Sequence, residues 1–378
     1  MFLRARELCE RAGAPTQLFA LMLGIWEWHT VRGDLRLCVD LAAEGGEFAR
    51  RLEDPGITME ALFMSAETSL YRGNFEDARE RFATAVAVYD DRERTKFWAA
   101  RTGHNAGVTC RSNLAVALWH LGFPDQAQEV NREMRQLARE IGHPFSLAYA
   151  LHHTAWLYAF CGSASEVRAA AEEEIAIAAD QGFALWHATG TFFKGVGMQL
   201  EGETDQALPV LREGHDAFRA GGARLTLPFQ FCALGRAYTQ ATRFEDARRA
   251  FEEGLAVGED TDERCSEAEL RRLEGERLLA EGVEGDAAAE NCFRLAIETA
   301  RRQRSRGWEL RATTSLARLY RDRGREAEAR AALEPVYGAY TEGFTTPDLV
   351  DAAALLEALG SPVVGPTSPS LRSDPMRA

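Results

Sequence analysis

The sequence predicts an all-α fold, a right-handed superhelical solenoid of about eight helix pairs. Three observations carry this. Turn residues recur along the chain at Gly33, Gly73, Gly122, Gly162, Gly202, Thr242 and Gly324, with spacings of 40, 49, 40, 40, 40 and 82 residues. The last interval holds one more repeat, whose turn has drifted to about Glu284. Small and aromatic side chains keep fixed offsets from these turns, as a stack of antiparallel helix pairs requires. Finally, 46% of the residues are hydrophobic, enough to bury a continuous core along a stack in which each unit touches only its neighbours.

Residues 1–13 read as a partial repeat, because Ala5 to Ala12 resembles a second helix whose first helix is absent. A stack that starts in mid-unit exposes an apolar face, which leads us to expect self-association there or further sequence upstream. The array then occupies residues 14–345. Its first and fourth units keep the turn glycines Gly33 and Gly162 but carry Cys38 and Val167 where a small residue is usual. The second has Gly73, Phe75, Ala78 and Phe82, and the third has Gly122, Phe123 and Ala127. Pro124 opens a helix in the third, where its missing N–H costs nothing. The fifth unit has Gly202, Ala207 and Leu211, the seventh Ala289, Phe293 and Ala296, and the eighth Gly324, Ala329 and Leu333.

The sixth unit is the most complete. Phe231, Leu234, Gly235 and Tyr238 precede the turn at Thr242, and Phe244, Ala247 and Phe251 follow it. This spacing resembles the tetratricopeptide repeat, in which small residues let two helices approach and aromatic ones fill the grooves around them. The period near 40 exceeds the usual 34. The surplus is assigned to longer helices and inter-unit loops such as Gly142-His143-Pro144 and Gly221-Gly222, with an insertion around Asp90 to Gly107. Thr346 and Pro347 make a helix start, so residues 346–360 should cap the stack. The Pro- and Ser-rich stretch 361–378 is expected to be disordered.

A net charge of −14 argues against a general affinity for nucleic acid or an anionic membrane surface. No apolar run is long enough for a membrane span. The seven cysteines at 9, 38, 110, 161, 232, 265 and 292 form no CxxC pair and are odd in number, which reads as free thiols in a reducing cytoplasm. Arg301, Arg302, Arg304 and Arg306 form a basic cluster, and Glu172-Glu173-Glu174 an acidic run; both read as solvated helix faces.

Longer strings narrow the resemblance. Residues 115–127, 143–152, 267–279, 292–303, 309–318 and 340–349 resemble the C-terminal repeat region of bacterial signalling proteins. Those proteins join a class III adenylate/guanylate cyclase domain, a predicted ATPase module and a tetratricopeptide array. The resemblance implies a partner or sensor region that works with cyclase or ATPase domains. It carries no catalytic activity over, because the chain has no GxxxxGK[ST] phosphate loop and none of the cyclase metal-binding aspartate segments. Lys194 falls within a helix with no glycine-rich loop before it. No cofactor, HExxH or GxSxG motif is present, and the adjacent His152 and His153 point to different helix faces, a poor metal site.

The functional expectation is therefore a non-catalytic interaction module. In such a solenoid the first helices line the concave face. Alignment to the turns sets Ser112, Trp119, His120, Tyr149, His152, Trp156, Phe192 and Arg236 inward. Together they would form an aromatic groove for a partner peptide or domain, with His152 and Arg236 exposed. On that reading, alanine at Trp156 and Arg236 weakens binding and leaves helicity intact. Packing between helices is the competing role for Trp119 and Trp156. A small-molecule effector, like those of large ATP-dependent transcription activators, is the alternative to a protein partner.

Overall fold

The computed structural model describes residues 15–89, 103–282 and 286–361. The expected helix at 1–13, residues 90–102 of the expected insertion, the turn at Glu284 and the tail after Ser361 lie outside the described residues. Within them the chain is all α, with seventeen helices and no strand. None is long and apolar enough to cross a membrane.

Sixteen helices form eight antiparallel pairs. They are α1 (Pro15–Val31) with α2 (Leu35–Leu52), α3 (Pro55–Tyr71) with α4 (Phe75–Val88), α5 (Ala106–His120) with α6 (Pro124–Ile141), and α7 (Pro144–Cys161) with α8 (Ala164–Gln181). Then follow α9 (Ala184–Leu200) with α10 (Thr204–Ala220), α11 (Leu227–Gln240) with α12 (Phe244–Thr261), α13 (Glu267–Glu281) with α14 (Asp286–Arg302), and α15 (Arg306–Asp322) with α16 (Glu326–Tyr337). The last helix, α17 (Pro347–Ala358), covers the final pair.

The recurrent turn has one local cause. Gly33, Gly73, Gly122, Gly162, Gly202 and Gly324 all have φ between 70° and 85°, and Thr242 takes the same left-handed conformation at 54°. In each, the next residue's N–H reaches back five residues, as Phe123 does to Leu118 (2.9 Å) and Arg243 to Tyr238 (2.8 Å). This satisfies carbonyls that the helix end would otherwise leave bare. In the seventh pair Gly282, at 72°, closes α13. A second left-handed series follows the second helices, at Glu53, Gly142, Gly182, Gly222, Asp262 and Arg304.

Within pairs the small residues do what their spacing implies. A Cβ on Gly235 would collide with the Phe251 ring; one on Gly275 would lie 2.5 Å from Phe293, and one on Gly195 would lie 2.8 Å from Leu211. Two sequence expectations need correction. Thr346 stands at the start of α17, but its hydroxyl donates to the Gly343 carbonyl (2.7 Å) instead of capping the helix. Glu174 is fully buried against Thr189, so only the exposed Glu172 and half-exposed Glu173 of the acidic run face solvent.

The superhelix winds tightly enough for successive turns to touch. The Val31 carbonyl, at the first pair's turn, accepts from the N–H groups of Arg224 and Leu225 (2.8 and 3.2 Å). One pair later the Tyr71 carbonyl accepts from Arg264 and Cys265 in the same way (2.8 and 3.3 Å). Further on, Asp125 accepts from the Gly343 N–H (2.9 Å), and Arg311 donates to the Phe160 carbonyl (2.5 Å). The basic cluster is part of this seam. Arg304 pairs with Glu76, and Arg306 donates to the Ala339 carbonyl.

Candidate functional site

Tight winding fills most of the concave channel. Trp119 stacks on Phe160 at 4.4 Å and meets Trp308, from the next superhelical turn, edge-on at 4.8 Å. His120 stacks on Phe75 at 3.8 Å and bonds through Nδ1 to the Ser305 hydroxyl (3.0 Å). Burial holds its pKa well below the usual histidine range. Trp156 stacks on Tyr71, and Phe192 packs beside Phe193 and Phe229. Ser112 spends its hydroxyl on the Val108 carbonyl of its own helix (2.9 Å). All five of these expected groove residues are buried.

The open aromatic groove is therefore corrected: an inward-facing side chain in a closed superhelix meets the opposite wall instead of solvent. Trp156 is 1% exposed, so alanine there removes core, and the expectation that helicity would survive it is withdrawn. Arg236 is only half-buried, but its Nη2 is spent on Gln199 Oε1 (2.8 Å). Burial pulls its pKa down to about 10. His152 is buried, contrary to the expected exposure.

Tyr149 and His152 do meet open space. Together they line a cavity of about 460 Å³ bounded by α1, α3, α7 and α9. Its lower lip is the loop around Gly222 and Leu225, the segment that docks on the Val31 carbonyl. Without that docking the cavity would be an open cleft. Its volume is in the range of small-molecule sites. A second cleft, of about 480 Å³, lies between α2 and α3. Its polar side chains, such as Ser69 with Asp77 and Arg72 with Asp262, are engaged in contacts of their own.

The polar groups of the first cavity are unusual for a repeat core. Glu67 is buried, and its Oε1 accepts from the Tyr149 hydroxyl (2.8 Å) and Asn113 Nδ2 (3.5 Å). Burial pushes its pKa up to about 7. His104 bridges Glu27 and Glu60, each 3.1 Å away; despite burial, the two carboxylates hold its pKa well above the usual range. His152 and Glu174 approach to 3.7 Å. Burial lowers His152 to about 3 and raises Glu174 well above the usual carboxylate range. The buried His153 Nε2 and His152 Nδ1 have no hydrogen-bond partner.

Sequence reasoning missed Glu67, His104, Trp26 and Trp186. One signal was available. Glu60 and Glu67, the two charged residues of α3, lie seven residues apart, which places both on one helix face beside Phe63. The arrangement is suited to binding. Among the described residues no group of three or more His, Cys, Asp or Glu side chains could hold a metal ion.

Comparison with known proteins agrees with the repeat fold. The tetratricopeptide repeat model matches residues 108–133 and 310–335, which fall on α5–α6 and α15–α16. An uncharacterized protein of Rhizobium meliloti (strain 1021) is 25% identical over 301 residues, covering 78% of this chain and 28% of its own length. The chain thus spans little more than a quarter of that curated relative. Aspartyl phosphate phosphatase F from Bacillus subtilis superposes with a TM-score of 0.51 at 12% identity, over 87% of this chain and 97% of that one. A signal transduction ATPase with numerous domains and a tetratricopeptide repeat sensor, from Pyrococcus horikoshii, has a TM-score of 0.48 at 16% identity, over 89% of this chain and 49% of its own. At these identities the structural likeness concerns the fold alone, and the fold is a tetratricopeptide-like solenoid.

Proposed function

We propose that this chain is a non-catalytic sensor module of a bacterial signalling protein, and that a small molecule occupies the cavity between α1, α3, α7 and α9. The observation that carries this reading is the cavity itself. In it, buried polar groups of the expected ligand wall meet open space. A long peptide groove fits less well, since the channel beyond His152 is plugged by Trp156, Phe193 and Phe229. The resemblance to cyclase–ATPase proteins supplies the setting, in which such a module reports ligand occupancy to a catalytic domain.

Gly24 gives a clean test. A Cβ there meets nothing within 4 Å, and the residue lines the cavity. Gly24→Leu should place an isobutyl group in the space without disturbing the backbone and favour α1 by about 1 kcal/mol through helix propensity. Thermal-shift screening against a metabolite library should find compounds that stabilise the wild-type chain and not this variant. Stabilisation of both proteins alike, or of neither by any compound, would overturn the assignment. Three exposed large apolar side chains on the first pair, Trp28, Leu37 and Val39, favour a second reading in which this end docks a protein partner. A stable complex captured from lysate and lost on Leu37→Glu would support that reading.

A further inference from the structure

We propose that the cavity takes an organic cation, an amine carried on a flat aromatic or apolar body, with Glu67 as its counter-ion. This rests on the ligand-cavity reading above and adds the chemical class.

The walls are aromatic. Trp26 meets Phe63 edge-on at 5.4 Å, and Tyr149 meets Trp186 edge-on at 5.8 Å, so π-faces and edges border the space from both α1–α3 and α7–α9. The indole N–H of Trp26 is already spent on the Thr68 hydroxyl (3.1 Å), and its ring is buried in the wall behind the space. Aromatic faces attract cations through the ring quadrupole, most strongly where water is excluded.

Among the described residues the charge balance of the lining is anionic. His104 is the buried cation of the lining, and it is shared between Glu27 and Glu60, so that trio keeps a net negative charge. Arg32 stands at the exposed rim with its guanidinium over the Trp28 ring, 4.7 Å from the centroid. No cation pairs with Glu67 among the described residues. Both of its hydrogen bonds converge on Oε1, and no donor reaches Oε2. Glu67 is nine-tenths buried. A carboxylate in that position is costly unless an opposite charge joins it. An ammonium group entering the cavity would supply that charge and a short charge-assisted hydrogen bond to Oε2. The neutral His152 and His153 flank the same space and offer hydrogen-bonding nitrogens without competing positive charge. An anionic ligand would meet Glu67 and Glu27 inside the cavity, and among the described lining residues the one cation outside the His104 cluster, Arg32, stands at the exposed rim.

The test compares matched ligands on the full chain. Tryptamine and phenethylamine are titrated by calorimetry against indole-3-propionate and 3-phenylpropionate. The amines should bind saturably and at least tenfold more tightly than the acids. Glu67→Gln keeps shape and hydrogen-bonding capacity while removing the charge, and should weaken amine binding at least tenfold. Gly24→Leu should abolish binding altogether and serves as the control for a variant that fails to fold. Acids binding as well as amines would overturn the cation assignment while leaving the cavity reading intact. An unchanged amine affinity in Glu67→Gln would do the same. Amine binding that survives Gly24→Leu would place the site elsewhere and overturn both. If neither amine binds but Gly24-sensitive compounds emerge from the metabolite screen, the cation assignment alone falls.

Discussion

Replacing Glu67 by glutamine should stabilise the protein, and by more at pH 8 than at pH 5. The carboxyl is raised from 4.5 in the unfolded chain to about 7 in the folded one, chiefly because burial strips it of water. Its surroundings set the balance: the Tyr149 hydroxyl and Asn113 favour the ionised form, Glu27 opposes it and His104 favours it. At pH values well below 4.5 Glu67 is protonated in both states and costs nothing. Between 4.5 and about 7 the unfolded chain releases the proton while the folded chain keeps it, so stability falls as the pH rises. Above about 7 both states are ionised and the penalty levels off at about 3 kcal/mol. Across the interval from pH 5 to pH 8 the change is ~2.5 kcal/mol. Glutamine has no such titration, and it still accepts the Tyr149 hydrogen bond. Urea unfolding followed by tryptophan fluorescence, on both proteins at both pH values, gives the required double difference. Other groups that titrate on unfolding, such as Glu263 with its pKa raised to about 8, are common to both proteins and cancel. A double difference below about 0.5 kcal/mol, or one of opposite sign, would refute the claim that Glu67 is held desolvated and unpaired.

Three further outcomes follow from the packing. Thr242→Gly should raise stability by about 0.5–1 kcal/mol in denaturant titrations, since threonine is strained at φ 54° and glycine is not, less what glycine's unfolded-state freedom costs. Trp156→Ala should cost about 3–5 kcal/mol by the same measurement, because an indole that is 1% exposed leaves a cavity behind. Arg311→Met should cost about 3 kcal/mol and lower hydrogen-exchange protection in α17, because Arg311 bonds Asp348 (2.8 Å) and the Phe160 carbonyl across the seam and lies 3.7 Å from buried Glu269.

What the sequence disclosed and what it hid divide by range. The turn at Gly122 is decided within six residues, by a left-handed glycine and the bond from Phe123 back to Leu118. Gly235 opposite Phe251 is decided within one helix pair. Signals of this kind repeat in register, so the helix pairs and their order could be read from spacing. The turn of the seventh pair, expected at about Glu284, lies outside the described residues, next to Gly282, which closes α13. The second left-handed series went largely unread because Glu53, Asp262 and Arg304 carry no compositional mark of the conformation they adopt. There the inter-unit packing imposes the backbone, and the residue accepts the strain.

The site was less legible because it depends on an accumulated quantity. Each pair rotates slightly against the last, and only the sum over several pairs brings the loop at Arg224 onto the carbonyl of Val31. A few degrees less per pair would leave Trp119, Trp156 and Phe192 facing water as a groove; the observed winding presses Trp308 against Trp119 instead. The exposure expected of the groove residues thus gives way to burial at Trp119, Trp156 and Phe192. Where the opposing walls fail to meet, between Trp26 and Trp186, the cavity remains. The glutamates of α3 mark this place better than the aromatics do. An aromatic ring serves equally in a core or a binding site, but a buried carboxylate without a cation has no packing role that an apolar residue would not fill at lower cost. Glu67 is therefore the residue whose chemistry separates binding from packing in this chain, and it is the one that the pH dependence of Glu67→Gln examines directly.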